Sequence, residues 1–401
     1  MLAQATYQAR VRPATLRRSA PAVALVVLAV HALWIGAYFA AGHEIRDFIK
    51  IGSTDVQRSH ASQVIKYDPS YRYPPNHDAP NGTGFDGQLY YYIALDPANA
   101  RYYIDSGEVG LRYERIVYPL TARALALGQP GLVPYAMLVI NVLAVALGTL
   151  AVAAWLRRKG VSPWFAAIYG FYPGLLISLQ RDLTEPLAYG LVALAIYLFD
   201  FGGRRRFLWA GLAFALAALT RETTVVFPLV YAFRCVPNWR RTAIFAGVTL
   251  LPLAAYEIFL WKWLGIIGTE SGPGPIPFLG LLSSEWTLVR KGPEIVGIII
   301  PAVICVALAI RALTRGLWRT EIIALLANVA ALVLFLPDSA WDAYTTAGRV
   351  SVGVVLAAIY CVPYLPALHL KRRLLPWAAV AAWLSVFPAA LFYGFATDLR
   401  V

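Results

Sequence analysis

Residues 21–41 read Pro-Ala-Val-Ala-Leu-Val-Val-Leu-Ala-Val-His-Ala-Leu-Trp-Ile-Gly-Ala-Tyr-Phe-Ala-Ala, with Arg10, Arg12, Arg17 and Arg18 before them. A bilayer core needs about 20 mostly apolar residues per helix, and this run has that length. It is too long for the apolar part of a signal peptide, and Tyr38 to His43 make a weak cleavage site. The expectation is a retained helix with its N-terminus in the cytoplasm. Working outward, comparable runs lie at about 131–156, 162–180, 185–201, 206–220, 223–236, 242–264, 294–312, 320–338, 350–369 and 374–396. Eleven spans follow, of which 206–220 and 223–236 are short.

Composition agrees with that reading. Of 401 residues 59% are hydrophobic and only 14% charged, too few charges to cover a globular surface. The net charge of +13 would point to nucleic acid in a soluble chain, but its distribution excludes that. Arg157-Arg158-Lys159, Arg204-Arg205-Arg206, Arg234 with Arg240-Arg241, Arg311/Arg315/Arg319 and Lys371-Arg372-Arg373 fall at every second turn. Under the positive-inside rule those turns and the N-terminus are cytoplasmic. They carry a net +17, and the rest of the chain a net −4. The expected fold is an all-α polytopic bundle. It divides into a tail and first span at 1–43, a first extracytoplasmic loop at 44–130, and a bundle with short loops at 131–401. Ala and Arg are frequent and Met is rare, which points to a bacterial inner membrane; the Asn81-Gly82-Thr83 sequon carries little weight there.

Polar chemistry is concentrated on the outer side. The segment of about 44–115 holds nine of the 23 tyrosines. Tyr71 to Gly82 is turn-rich. Phe85 to Asp96 reads as a short amphipathic helix ended by Pro97, with Phe85, Leu89 and Tyr92 on one face, as for a helix lying on the membrane surface. Residues 116–128 are apolar but short, contain Arg123, and suit an interfacial or re-entrant helix. The loop at about 265–293 is rich in Gly and Pro. Charged outer turns follow at Arg181-Asp182-Leu183-Thr184-Glu185-Pro186, at Arg221-Glu222, and at Asp338 to Asp342 before Arg349.

Each candidate has a plain alternative. Asp86 is either a helix N-cap or a base within reach of a hydroxyl. Arg181 either pairs with Glu185 at i, i+4, with Thr184 capping and Pro186 starting the next helix, or binds phosphate through its guanidinium fork. Arg221, Glu222 and Asp182 share that ambiguity. Arg349 points more strongly to function, as it opens a span after an acidic turn. Arg112 and Arg115 are more simply juxtamembrane arginines. Glu257 lies inside a span near its outer end, His31 reads as a packed histidine, and Cys235, Cys305 and Cys361 as core. Three cysteines exclude a disulfide framework or multi-Cys zinc site. The histidines have no metal-ligand spacing, and there is no Asp-X-Asp pair for a metal-bound nucleotide sugar.

The stretch Phe85-Asp86-Gly87-Gln88-Leu89-Tyr90-Tyr91-Tyr92-Ile93-Ala94 resembles the first-loop motif of PIG-V-type mannosyltransferases, Trp-Asp-Gly-X-Trp-Tyr-X-X-Ile-Ala. It keeps Asp86, Gly87, Tyr90, Ile93 and Ala94, and replaces both tryptophans, by Phe85 and Leu89. These enzymes belong to the multi-spanning GT-C glycosyltransferases. The resemblance implies an inverting, metal-independent transfer, without a cofactor, from a polyprenyl-phosphate sugar donor to a glycan or lipid acceptor on the extracytoplasmic face. Asp86 would be the base. Arg349, Arg181 and Arg221, in that order, would stabilise the phosphate, with Asp182, Glu185, Glu222, Tyr90, Arg112 and Arg115 around the substrates. Competing readings are a lipid-linked glycan transporter or flippase, a glycan ligase or polymerase, and a purely structural membrane protein.

Overall fold

The computed structural model describes residues 19–51, 84–102, 104, 106–236, 238–265, 288–336, 338–341, 343–368 and 374–396. The turn at 71–82, the Asn81 sequon, Asp342, Lys371 to Arg373 and most of the 265–293 loop lie outside them. Among the described residues the structure is helical, with a single isolated bridge, Ile51 to Gly84, and no strand.

The helices, in chain order, begin with α1 (Ser19–Ala40), α2 (Gly87–Leu95), α3 (Ser106–Glu114), α4 (Val117–Leu125) and α5 (Val133–Arg158). Then come α6 (Ala166–Gly170), α7 (Pro173–Gln180), α8 (Glu185–Phe201), α9 (Arg206–Ala218), α10 (Val226–Ala232) and α11 (Trp239–Leu264). The last are α12 (Leu288–Glu294), α13 (Ile300–Thr314), α14 (Thr320–Phe335), α15 (Tyr344–Val350), α16 (Val352–Cys361), α17 (Leu374–Ser385) and α18 (Phe387–Ala396).

This is an integral membrane protein by the length and apolarity of its helices. Five are long and apolar enough to cross a bilayer: α1, α5, α11, the stretch Lys291–Thr314 through α13, and Leu375–Phe392 through α17 and α18. Counting two bent pairs as one span each gives up to seven. One bent pair is α8 with α9, where the chain turns through 112° and the two helices pack on each other. The other joins α15 to the stretch Val352–Leu368 at 44°. The 162–180 run is interrupted at Phe171, so it forms α6 and α7 instead of one rod. Pro173 explains the break: a proline donates no N–H and disfavours helix in the residue before it. Runs 223–236 and 320–338 form the shorter helices α10 and α14.

The ends of the bundle differ in charge. At the C-terminal end of α8, Asp200 accepts from Trp155 Nε1 at 2.8 Å and pairs with Lys159 at 3.2 Å and Arg234 at 2.8 Å. Two of the basic turns therefore meet there. Glu185 stands at the other end of α8, about 22 Å away at about 1.5 Å per residue. The core proper lies between, on α5, α7, α8, α9 and α16. His31 packs as expected, with Nδ1 near the Val27 carbonyl at 2.8 Å and its ring stacked on Phe171. The three cysteines are free, Cys235 and Cys305 buried and Cys361 half-buried.

One expectation is corrected. Helix α2 does not lie on a surface with one face outward: every residue from Gly87 to Leu95 is buried. It is enclosed by α3, α4 and α5, and its three tyrosines belong to an apolar cluster with Tyr113, Tyr118, Met137 and Leu183. Tyrosine can go either way, since its ring buries well once the hydroxyl has a partner. Helix α4 is the short helix expected at 116–128. Its Arg123 caps α2 from below, donating to the carbonyls of Ala94 and Leu95, the usual basic complement to a helix C-terminus.

A candidate active site around Asp86

Four segments distant in sequence meet at the end of the bundle away from Asp200. The first is the start of α2. Asp86 stands at the N-cap position of α2, but its side chain makes no capping hydrogen bond. The carboxylate faces cations instead: Oδ1 lies 3.4 Å from Arg112 Nη2 and Oδ2 lies 3.4 Å from Arg349 Nη1. Its side chain keeps 41% of its surface open, so a ligand has access to it. Burial on its own would raise its pKa. Arg112, Arg349, Arg115 and Arg181 outweigh burial and hold the carboxyl well below the usual carboxylate range.

The second segment is α3 with the turn after it. Arg112 is 5% exposed and also pairs with Glu108 at 2.7 Å. Arg115 grips Glu222 through two bonds, Nε to Oε2 at 2.8 Å and Nη2 to Oε1 at 2.7 Å. Both guanidinium groups donate to the Tyr90 hydroxyl, at 3.4 and 3.0 Å. Tyr90 therefore orients two arginines, which accounts for a tyrosine at that place in α2. Helix α3 is tied to α11, where Tyr256 donates to the Tyr113 carbonyl at 2.9 Å and Trp263 packs edge-on against Tyr113. Glu114 is 8% exposed, and its pKa is pushed up to about 7 by burial first and then by Glu222 and Glu257.

The third segment comprises the turns at 181–185 and 219–222. Glu185 pairs with Arg221 at 3.0 Å and lies 4.0 Å from Arg349 Nε. The expected i, i+4 partner Arg181 lies over the Phe85 ring instead, 4.6 Å from its centroid. Thr184 makes no side-chain cap, while Pro186 does sit in the first turn of α8. An isolated Arg181–Glu185 pair is therefore corrected to a shared network, because folding brings in two arginines that the local sequence does not contain.

The fourth segment is α15, which delivers Arg349, 8% exposed. Its placement depends on a close approach to α7: a Cβ on Gly174 would collide with the Gly348 carbonyl oxygen. Ser351 fixes the end of α15, donating to the Gly348 carbonyl at 2.9 Å and lying 2.6 Å from the Tyr172 hydroxyl.

Several buried atoms of this cluster have no hydrogen-bond partner among the described residues: Arg349 Nε, Arg221 Nε, Glu185 Oε2 and Thr184 Oγ1. Buried polar atoms are normally satisfied, so these atoms make the cluster a candidate place for a polar ligand. Arginines dominate, and their planar fork suits phosphate oxygens. Arg112 and Arg115 stand last among the arginines in the sequence reading, yet Arg112 lies as close to Asp86 as Arg349 does, and Arg115 shares the Tyr90 hydroxyl with Arg112. Asp182 is brought to the rear of the cluster, behind Gly87. Among the described residues no three His, Cys, Asp or Glu side chains converge as a metal-ligand group. Comparison with protein-family models, with curated proteins and with solved structures finds no match to this chain.

Proposed function

We propose that the protein is an integral-membrane glycosyltransferase of GT-C type, resembling the PIG-V-type mannosyltransferases, with a polyprenyl-phosphate sugar as donor. The observation that carries this reading is one accessible carboxylate, Asp86, held between Arg112 and Arg349 at 3.4 Å each, with Arg115 and Arg181 also acting on its charge. An accessible carboxylate supplies a proton acceptor, and several guanidiniums supply charge for a leaving phosphate. The positive-inside distribution of the basic turns supports an outward-facing placement of this end, in a bacterial inner membrane with the N-terminus in the cytoplasm.

In the proposed reaction Asp86 takes the proton of an acceptor hydroxyl on a glycan or lipid. The oxygen forms its new bond to the anomeric carbon as the bond from that carbon to phosphate oxygen breaks. The electron pair leaves with polyprenyl phosphate, and the configuration inverts. Asp86 faced by two arginines is a weak base, but a donor phosphate entering among the same arginines offsets their charge and restores its basicity. The isoprenoid tail explains why such a site is embedded at the edge of a bundle.

The direct test is Asp86→Asn in membrane vesicles supplied with undecaprenyl-phosphate mannose and endogenous acceptors. Loss of transfer with normal insertion is expected. Undiminished transfer would remove Asp86 as the base. A transport reading draws some support from the 44° bend just after Arg349, since broken helices near charged groups mark transporter sites. Movement of the lipid-linked sugar across vesicles, with no glycosidic bond made, would favour it.

A further inference from the structure

Asp182 is a residue for which neither the proposed reaction nor helix termination gives a reason. The C-terminus of α7 closes with two reverse hydrogen bonds, Leu183 N–H to the Ser178 carbonyl at 2.9 Å and Asp182 N–H to the Leu179 carbonyl at 3.3 Å. This is the Schellman arrangement, whose left-handed residue is usually glycine. Here it is Asp182, at φ +48. A side chain in that conformation is strained relative to the right-handed region, and Asp182 is also fully buried. Burial pushes its carboxyl well above the usual range, with only the Asn141 amide acting against this. A glycine would close the helix at lower cost.

What the side chain touches supplies the reason. The start of α2 rests directly on this turn: a Cβ on Gly87 would collide with the Arg181 carbonyl oxygen and would come within 3.3 Å of the Asp182 Cβ. On its other side Asp182 Oδ1 lies 3.5 Å from Asn141 Nδ2 on α5. That same amide donates to the Tyr118 hydroxyl at 2.8 Å, and Tyr118 stands edge-on to Tyr90. Asp182 thus braces α2 at two points, under Gly87 and, through Asn141 and Tyr118, under Tyr90. Those points carry Asp86 on one side and the hydroxyl shared by Arg112 and Arg115 on the other.

We propose that Asp182 is a positioning residue, a strained wedge between α7, α5 and α2 that fixes Asp86 between Arg112 and Arg349. It does not touch the reacting atoms. Its kinetic consequence rests on the transfer reading above, while its structural consequence does not. The distinctive expectation is a split between stability and function. Asp182→Gly relieves the backbone strain and removes a buried carboxyl, so it should raise the midpoint of thermal unfolding in detergent. It should also lower kcat about 100-fold, the effect of misplacing a reacting group by about 1 Å, with little change in KM for the donor. Asp182→Asn keeps the shape, tolerates the left-handed conformation and still faces the Asn141 amide, so it should stay within about threefold of wild type.

The deciding experiment is a pair of cryo-EM structures, Asp182→Gly and Asp182→Asn, with transfer kinetics on undecaprenyl-phosphate mannose. Separation of Asp86 from Arg112 and Arg349 in the glycine variant, with both contacts kept in the asparagine variant, is the expected result. Unchanged contacts in the glycine variant would overturn the proposal, as would an asparagine variant as inactive as Asp86→Asn. Should wild type transfer no sugar, the reading of function fails, and the two structures still decide whether Asp182 positions Asp86.

Discussion

Arg349 Nη1 lies 3.4 Å from Asp86 Oδ2, across 263 residues of sequence. That contact joins the first-loop helix to the late bundle. It also puts a permanent cation beside the proposed base, where a leaving phosphate would need one. Arg349→Ala should lower kcat about 100- to 1,000-fold, as removal of one charge-stabilising donor does elsewhere. Arg349→Lys should recover only part of the loss, because an ammonium cannot reproduce the planar fork. Kinetics of the two variants on undecaprenyl-phosphate mannose check this, and a lysine variant as fast as wild type would argue that Arg349 acts as a point charge only.

Glu185 is 1% exposed and pairs with Arg221, itself 7% exposed. Glu185→Ala would leave Arg221 buried without its carboxylate and remove a neighbour of Arg349. Breaking one side of a buried pair costs about 3–5 kcal/mol, so the variant should unfold at a clearly lower temperature in detergent. Glu185→Gln, which keeps the shape, should lose less. If both variants unfold at the wild-type temperature, the network adds nothing to stability.

The all-helical, membrane-spanning class was legible in the sequence because hydropathy is a local property; the number of spans was less so, since eleven apolar runs stand against five to seven helices or bent pairs long enough to cross. Arg349 and Arg221 stood out for a similar reason, as charges at the ends of apolar runs, and Asp86 through the Asp-Gly-X-X-Tyr stretch it opens. Arg112 and Arg115 did not, because an arginine beside a membrane is commonplace and only folding shows that both turn inward to the Tyr90 hydroxyl. The pairing of Glu185 with Arg221 instead of Arg181 depends on the 219–222 turn packing against α8. Helix α2 was misread for another reason: its tyrosines were counted by pattern, and nothing in the pattern tells a helix on a bilayer from one enclosed by α3, α4 and α5. The left-handed Asp182 leaves no mark in the sequence at all.

Glu114 gives a pH dependence whose sign is fixed. Its pKa rises from an ordinary 4.5 to about 7 on folding, so the folded protein holds the proton more tightly than the unfolded chain. The stabilisation from Glu114 is complete below about pH 4.5 and disappears as pH rises through about 7. Asp86 acts in the opposite sense, since its lowered pKa gives stability that is lost in acid. Wild type should therefore lose thermal stability between about pH 4.5 and 7 relative to Glu114→Gln, whose uncharged amide does not titrate. Parallel unfolding curves for the two proteins across that range would place Glu114 in a more hydrated setting.

The donor chemistry yields the last prediction. A polyprenyl phosphate carries its charge on one phosphate, and the arginines around Asp86 offer a protein-based counter-charge for it. A nucleotide sugar brings a diphosphate, which glycosyltransferases commonly neutralise with a divalent ion held by paired aspartates, and this chain has no Asp-X-Asp sequence. Transfer from undecaprenyl-phosphate mannose should thus persist in excess EDTA at a rate within about twofold of the untreated membranes, given how little a spectator ion changes a barrier. Loss of activity in EDTA, restored by manganese, would argue for a metal-bound donor and against arginine as the main partner of the leaving phosphate. Repeating the chelation with Arg349→Ala sharpens the comparison: if arginine carries the phosphate charge, added manganese should leave that variant as slow as before.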